Sequence, residues 1–172
     1  MSGSKSKSKG SSYEREVAKF LSSLYGESFI RVPNSGAYIG GKNTNRKEVL
    51  HEGQVRTFKG DIIPGQSFSK MNAEVKSYKE FPFHQFFTGH IKLLESWISQ
   101  CMEVADEGDF NIIFMKFNRK GTYVAVQSSI GYKFNTKNHF NYQSINHGEW
   151  LIMDNATFWN NNSQIVKELC NG

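Results

Sequence analysis

The chain has 172 residues, of which 38% are hydrophobic and 14% aromatic, which is enough apolar material for one folded domain and excludes a disordered chain. Its 21 Lys and Arg exceed its 16 Asp and Glu, and this excess favours an anionic partner, with nucleic acid as the first candidate. Two cysteines are too few for a disulfide framework or a zinc site, and no apolar run suits a membrane span or a signal peptide, so we expect a cytoplasmic protein.

The positive charge lies in the N-terminal half of the chain. Residues 1–79 hold 14 Lys and Arg against 7 Asp and Glu, whereas residues 80–172 hold 7 against 9. The first 12 residues are almost entirely Gly, Ser and Lys, which cannot form a core, and they predict a flexible basic arm. We therefore expect the N-terminal half to contact the anion.

The first predicted element is a helix over residues 12–25. Its apolar side chains repeat at helical spacing and are Tyr13, Val17, Phe20, Leu21 and Leu24. Ser11 followed by Glu14 has the pattern of a capping box, and Gly26 supplies a stop. Residues 29–32 are typical of a short strand.

A polar excursion over residues 33–58 comes next, and a loop of this length is usually functional or disordered. After it, the pattern predicts strands over residues 59–63, 72–77, 110–117 and 122–127, and a helix over about 84–105. Residues 131–162 predict irregular structure, with a short helix near 164–169. This order predicts an α/β fold in which one mixed sheet carries a helix on each face.

Two acidic motifs lie on neighbouring predicted strands. Asp61 follows Gly60, and Glu74 and Lys76 are two residues apart, so both project from one face of a strand. Carboxylates are ligands that Mg²⁺ prefers, and a lysine beside them can orient or deprotonate a water that attacks a phosphodiester. On spacing alone, a cross-strand ion pair on a solvated face is the simpler interpretation, because such a spacing is common by chance.

A set of motifs between residues 9 and 128 makes the nuclease interpretation stronger. In chain order they are KGSSYERE (9–16), RVPNSG (31–36), GDI (60–62), EVK (74–76), FPFHQF (81–86) and GTYVAV (121–126). Together they resemble the PD-(D/E)XK nuclease superfamily, and within it the Holliday junction resolvases of the archaeal type and of the bacterial RecU type. Gly60 stands where the proline of the superfamily's name would stand.

The resemblance implies a restriction-endonuclease-like fold, a mixed β-sheet flanked by α-helices. A single nuclease domain would span residues 13–172, with its core over about 13–128 and an extension over 130–172 that has no counterpart. It implies that Asp61, Glu74 and the backbone carbonyl of Val75 bind Mg²⁺, with Mn²⁺ as a substitute. Lys76 and Glu14 would be catalytic, Glu14 acting on the metal through water. For Glu14, the capping box is the alternative.

The resemblance and the charge distribution together identify candidate DNA-binding residues. They are Lys5, Lys7, Lys9, Arg31, Ser35, Lys42, Arg46, Lys47, Arg56 and Lys59. The implied function is resolution of four-way DNA junctions by a homodimer, because two matched nicks require two identical sites. A chain of this kind suits a phage, acting in the host cytoplasm. The alternatives are a restriction-like or DNA-degrading nuclease of the same superfamily, and a catalytically silent DNA-binding module.

Overall fold

A computed structural model of the chain describes residues 3–33, 59–128 and 133–171, with side chains from residue 9 onward. The helices in these ranges are α1 (Gly3–Tyr25), α2 (Lys92–Glu103) and α3 (Asn155–Cys170). The strands are β1 (Ile30–Arg31), β2 (Ile62–Ile63), β3 (Met71–Tyr78), β4 (Phe110–Phe117), β5 (Gly121–Gln127), β6 (Phe140–Gln143) and β7 (Glu149–Asp154). Within the described residues, no helix is long and apolar enough to cross a membrane.

Five of the strands form one mixed sheet in the order β3-β4-β5-β7-β6. The pair β3 and β4 is parallel, and the other pairs are antiparallel. Strands β1 and β2 form a separate antiparallel ribbon in which Arg31 lies opposite Ile62. The predicted α/β class is confirmed, and the mixed sheet flanked by helices is consistent with a restriction-endonuclease-like fold.

Both faces of the sheet are covered, which explains the apolar sequence of β4. Ile112 and Phe114 pack into one core with α1 and α3, whereas Ile113 and Met115 pack into the other with α2. Strands buried on both faces read as continuous apolar runs, because successive side chains point to opposite sides. The prediction of a helix on each face is therefore correct, and in the part of the chain that the structure describes one face carries two helices and the other carries one.

The first helix begins at Gly3, where the sequence pattern predicts a flexible arm and a helix from residue 12. Once Val17 and Leu21 are docked in the core, each residue added toward the N-terminus extends the helix by one hydrogen bond without a new nucleation step. Lysine is a good helix former and no proline interrupts the segment. Residues 3–12 therefore continue α1.

The second helix is shorter than predicted. The segment Phe83–Phe87 forms a 3-10 turn, and α2 begins only at Lys92. Gly89 lies between them with φ of 141°, a backbone conformation that a helix does not contain. The apolar spacing continues across this break, which is why the sequence pattern suggested one long helix.

The prediction of irregular structure over residues 131–162 is wrong. This region holds β6, β7 and the start of α3, and the predicted helix near 164–169 is the second half of α3. Strand β7 pairs with β5, which places Met153 opposite Val124. Asp154 caps α3 by accepting a hydrogen bond from the Thr157 N–H at 3.0 Å. The sequence pattern missed these elements for two reasons. The region is rich in Asn, which is typical of turns, and β7 pairs with β5, which is distant in the sequence.

Candidate active site

Asp61 is held between the edge strand β3 and Val32, the residue after β1, by hydrogen bonds to both. Its N–H donates to the Ala73 carbonyl at 2.8 Å, and its carbonyl accepts from the Val32 N–H at 2.9 Å. Its carboxylate Oδ2 accepts from the Val75 N–H at 2.7 Å. Asp61 is buried, so backbone contacts on both sides determine where this carboxylate lies.

Gly60 makes this close approach of the two chain segments possible. Its φ is +64°, and a Cβ added there would lie 2.5 Å from the Ala73 carbonyl oxygen. Glycine is the residue that adopts positive φ without a steric cost, whereas proline is restricted to φ near about −65°. The backbone conformation therefore explains why glycine, and not proline, precedes Asp61.

Replacing Gly60 by Ala should impair both folding and cleavage. The added Cβ collides with backbone at 2.5 Å and incurs the cost of a left-handed conformation, about 1–2 kcal/mol, so Asp61 must move. The matched control is Gly108→Ala, since Gly108 has φ of +82° but open space around it. We expect both variants to lose thermal stability and Gly60→Ala alone to lose most DNA cleavage. Equal cleavage by the two variants would contradict this role for Gly60.

Glu74 and Lys76 project from β3 beside Asp61. Glu74 is 5% exposed, and within the described residues its Oε2 has no hydrogen-bond partner. The Lys76 ammonium lies 3.9 Å from that oxygen. Burial raises the pKa of Glu74 well above its usual range, the Asp61 carboxylate raises it further, and the Lys76 charge opposes the shift. The geometry thus gathers two buried carboxylates that a cation would stabilise.

The donor set suits a hard divalent cation. Among the described residues, no group of three or more His, Cys, Asp or Glu is arranged to hold a metal ion, so the centre offers only the pair Asp61 and Glu74. Mg²⁺ is commonly held by one or two carboxylates and keeps several waters. The Asp61 carboxylate and the Glu74 oxygen, which accepts no hydrogen bond from the described residues, fit that pattern, with the Val75 carbonyl as a candidate third protein ligand.

Glu14 reaches the same centre from α1. Its carboxylate accepts a hydrogen bond from Arg31 Nε on β1, and its charge contributes to the raised pKa of Glu74. The capping-box alternative does not apply, because Ser11 and Glu14 both lie inside α1 rather than at its start. The structure therefore brings Asp61, Glu74 and Lys76 together, and it places Glu14 near enough to raise the pKa of Glu74, with Arg31 as the partner of Glu14.

The sequence patterns gave no indication of Gln100. Its side-chain Oε1, on α2, accepts a hydrogen bond from the Lys76 ammonium. Because Glu74 and Gln100 contact the same ammonium, together they restrict its position at the mouth of the carboxylate pair. No motif spacing links residues 76 and 100, and the contact depends on α2 packing across the face of β3.

Gln100→Ala should lower kcat about 10-fold with little change in KM, which corresponds to about 1.4 kcal/mol. This is the loss expected for one hydrogen bond that orients a charged group. Gln164→Ala is the matched control, since Gln164 is an exposed helical glutamine that contacts Glu168. Steady-state kinetics with Mg²⁺ would measure both variants. A normal kcat for Gln100→Ala would remove Gln100 from the centre.

The candidate DNA-binding residues have different surroundings. Lys59 pairs with Asp106 and Asp109 and its side chain is 9% exposed, so its charge is already compensated by these carboxylates. Lys9 is exposed on α1 and lines a groove. The side chains that lie outside the described part of the chain, and whose assignment stays a prediction, are Lys5, Lys7, Ser35, Lys42, Arg46, Lys47 and Arg56.

The fold and the site define a class of protein. A mixed sheet whose edge strand carries Glu74 and Lys76 beside Asp61 is the arrangement of a PD-(D/E)XK nuclease. A family model described as "Phage putative PDDEXK endonuclease" matches residues 5–168, and the chain belongs to this family. That match includes β6, β7 and most of α3, for which the resolvase resemblance had no counterpart. Comparison with curated proteins and with solved structures finds no significant match. Nucleases of the PD-(D/E)XK class generally use divalent metal ions.

Proposed function

We propose that this protein is a Mg²⁺-dependent DNA endonuclease that resolves four-way junctions as a homodimer. The observation that carries the proposal is the buried Oε2 of Glu74, which accepts no hydrogen bond from the described residues, beside the Asp61 carboxylate and 3.9 Å from the Lys76 ammonium. Membership of an endonuclease family supports the cleavage of DNA. The ordered motifs shared with junction resolvases support the choice of branched substrates.

Each side chain of the centre has a distinct task in this proposal. Asp61, Glu74 and the Val75 carbonyl would hold Mg²⁺ or Mn²⁺, which polarises a phosphodiester and lowers the pKa of a bound water. The Val75 N–H orients the Asp61 carboxylate at 2.7 Å. Lys76 directs its N–H donors at the attacking water or the phosphate. Glu14, paired with Arg31, supports the centre through water.

The homodimer is proposed because paired nicks on a two-fold junction require two identical sites. An apolar patch supports it. Phe87 is 79% exposed and Phe140 is 38% exposed, and their rings meet edge to face at 5.3 Å. Phe140 lies on β6, the edge strand at the opposite side of the sheet from β3. A patch of this kind beside an edge strand is a suitable contact for a second copy.

The deciding experiment compares a four-way junction with a linear duplex of the same arm sequence. We expect paired, symmetric nicks in the junction with Mg²⁺, binding by two copies of the chain, and a junction preference that survives moderate salt.

Two variants test which residues cause the preference. Replacing Lys42, Arg46 and Lys47 together by Ala should reduce the preference for the junction, whereas deleting residues 1–9 should weaken the binding of junction and duplex alike. Equal affinity and cleavage for both substrates would favour the general-nuclease alternative. Binding without any cleavage would favour the silent module.

A further inference from the structure

A groove of about 690 Å³ lies beside the catalytic centre at the carboxyl end of β3. Its walls are residues of α1 between 9 and 16, the end of β3 with Lys79 directly after it, and the end of β4 with Asn118 directly after it. Lys76 belongs both to this wall and to the catalytic centre. The groove is therefore continuous with the site, at the strand ends where open α/β sheets generally bind ligands.

The groove is positively charged. Lys9, Lys76, Lys79 and Lys116 line it, and they come from three different elements or their ends. Among the described residues, the one carboxylate in the wall is Glu16, whose Oε2 lies 3.2 Å from the Lys116 ammonium. Both side chains are about half exposed, so the ion pair is weak. The Lys116 ammonium can therefore exchange the Glu16 carboxylate for another anion.

Contacts among the described residues leave two further features of the wall unexplained, the Tyr13 hydroxyl and Gly10. The Tyr13 hydroxyl has no hydrogen-bond partner among the described residues, although Tyr13 is 4% exposed. Gly10 lies inside α1, where glycine costs about 1 kcal/mol relative to alanine. A Cβ at Gly10 would meet nothing within 4 Å. Gly10 therefore has no packing role in the described fold, but it leaves the groove wall open.

We propose that this groove holds the phosphodiester backbone of the cleaved strand on one side of the scissile phosphate. The proposal rests on the proposed nuclease function and adds the path of the substrate. Lys79, Lys116 and Lys9 contact successive phosphates, and Gly10 lets the strand approach α1. A single small anion could not contact all of these ammonium groups, and the charge of most of them would stay unneutralised, so a chain of several phosphates suits the groove better.

The test uses the full chain carrying Asp61→Asn, which prevents cleavage during binding measurements. Replacing Lys79 and Lys116 by Gln should reduce the slope of log Kd against log salt by about 2, near one released ion per lysine. The matched control replaces Lys133 and Lys167 by Gln in the same way. Both lysines lie near the opposite end of the sheet, because Phe134 packs on Phe110 at the start of β4 and the Cys170 carbonyl accepts a hydrogen bond from the Lys70 N–H just before β3. The slope of this control should stay unchanged.

Gly10→Leu provides a second measurement that does not depend on charge. The added side chain has open space at its Cβ and improves the helix propensity, so the variant should fold at least as well as the original chain. It should nevertheless weaken DNA binding, and Gly10→Ala less so. Two sets of shortened substrates, one for each side of the cut, identify the side that the groove holds. Shortening the DNA on that side should abolish the difference in binding between the variants and the original chain, whereas shortening it on the other side should leave the difference unchanged.

The outcomes separate this inference from the function on which it rests. If the original chain cleaves DNA while the Lys79 and Lys116 double variant keeps the original salt slope and Gly10→Leu binds normally, the groove is not the strand path. The inference is also overturned if shortening the DNA on neither side of the cut changes the effect of the variants. If the original chain neither binds nor cleaves any DNA, the proposed function itself fails.

Discussion

Asp61→Asn and Glu74→Gln should each reduce DNA cleavage by at least about 10³-fold, the order of loss that follows removal of preorganised transition-state stabilisation. DNA affinity should change little, because phosphate contacts along the surface supply most of it. Asn at position 61 can still accept the hydrogen bond from the Val75 N–H, so the local backbone should be kept. Lys76→Ala should also abolish cleavage.

Isosteric controls exist for both acidic substitutions. Asp154→Asn keeps a good N-cap for α3, since Asn and Asp cap equally well. Glu168 is an exposed helical glutamate, so Glu168→Gln removes a charge far from the centre. Both controls should cleave at the original rate in a single-turnover assay with Mg²⁺. Near-normal cleavage by any of the three centre variants would show that the catalytic residues are assigned incorrectly.

Mg²⁺ or Mn²⁺ should be essential for cleavage, and Ca²⁺ should occupy the site without supporting it. Ca²⁺ accepts oxygen ligands but prefers longer bonds and looser geometry than Mg²⁺. Binding should also stabilise the fold, because an ion that binds only the folded chain adds about 2.7 kcal/mol at 100 times its Kd. For a chain of this size, that corresponds to a rise in Tm of about 5–10 °C.

Thermal denaturation distinguishes a metal effect on the site from an effect on the DNA. Asp61→Asn and Glu74→Gln should lose the metal-dependent rise in Tm, whereas Glu168→Gln should retain it. In chelator, Glu74→Gln should be at least as stable as the original chain, because it removes a buried carboxylate that lies close to another. Full cleavage in excess chelator would contradict the metal mechanism.

Local periodicity in the sequence was sufficient to predict the parts of the site that lie on one element. The two-residue spacing of Glu74 and Lys76 places both on one face of β3. The apolar stripe of α1 correctly predicted the burial of Tyr13, Val17 and Leu21, whereas Phe20 and Leu24 are exposed. The apolar runs of β4 and β5 were likewise correct within one residue. These patterns succeed because the strand period and the helix period are properties of the backbone itself.

Tertiary structure alone determined which groups meet across elements. Lys76 contacts Gln100, which is 24 residues away, and Lys59 pairs with Asp106 and Asp109 rather than standing free. Strand β7 forms because β5 is its neighbour in the sheet. No spacing in the sequence encodes these contacts, because each depends on strand order and on the face against which a helix packs.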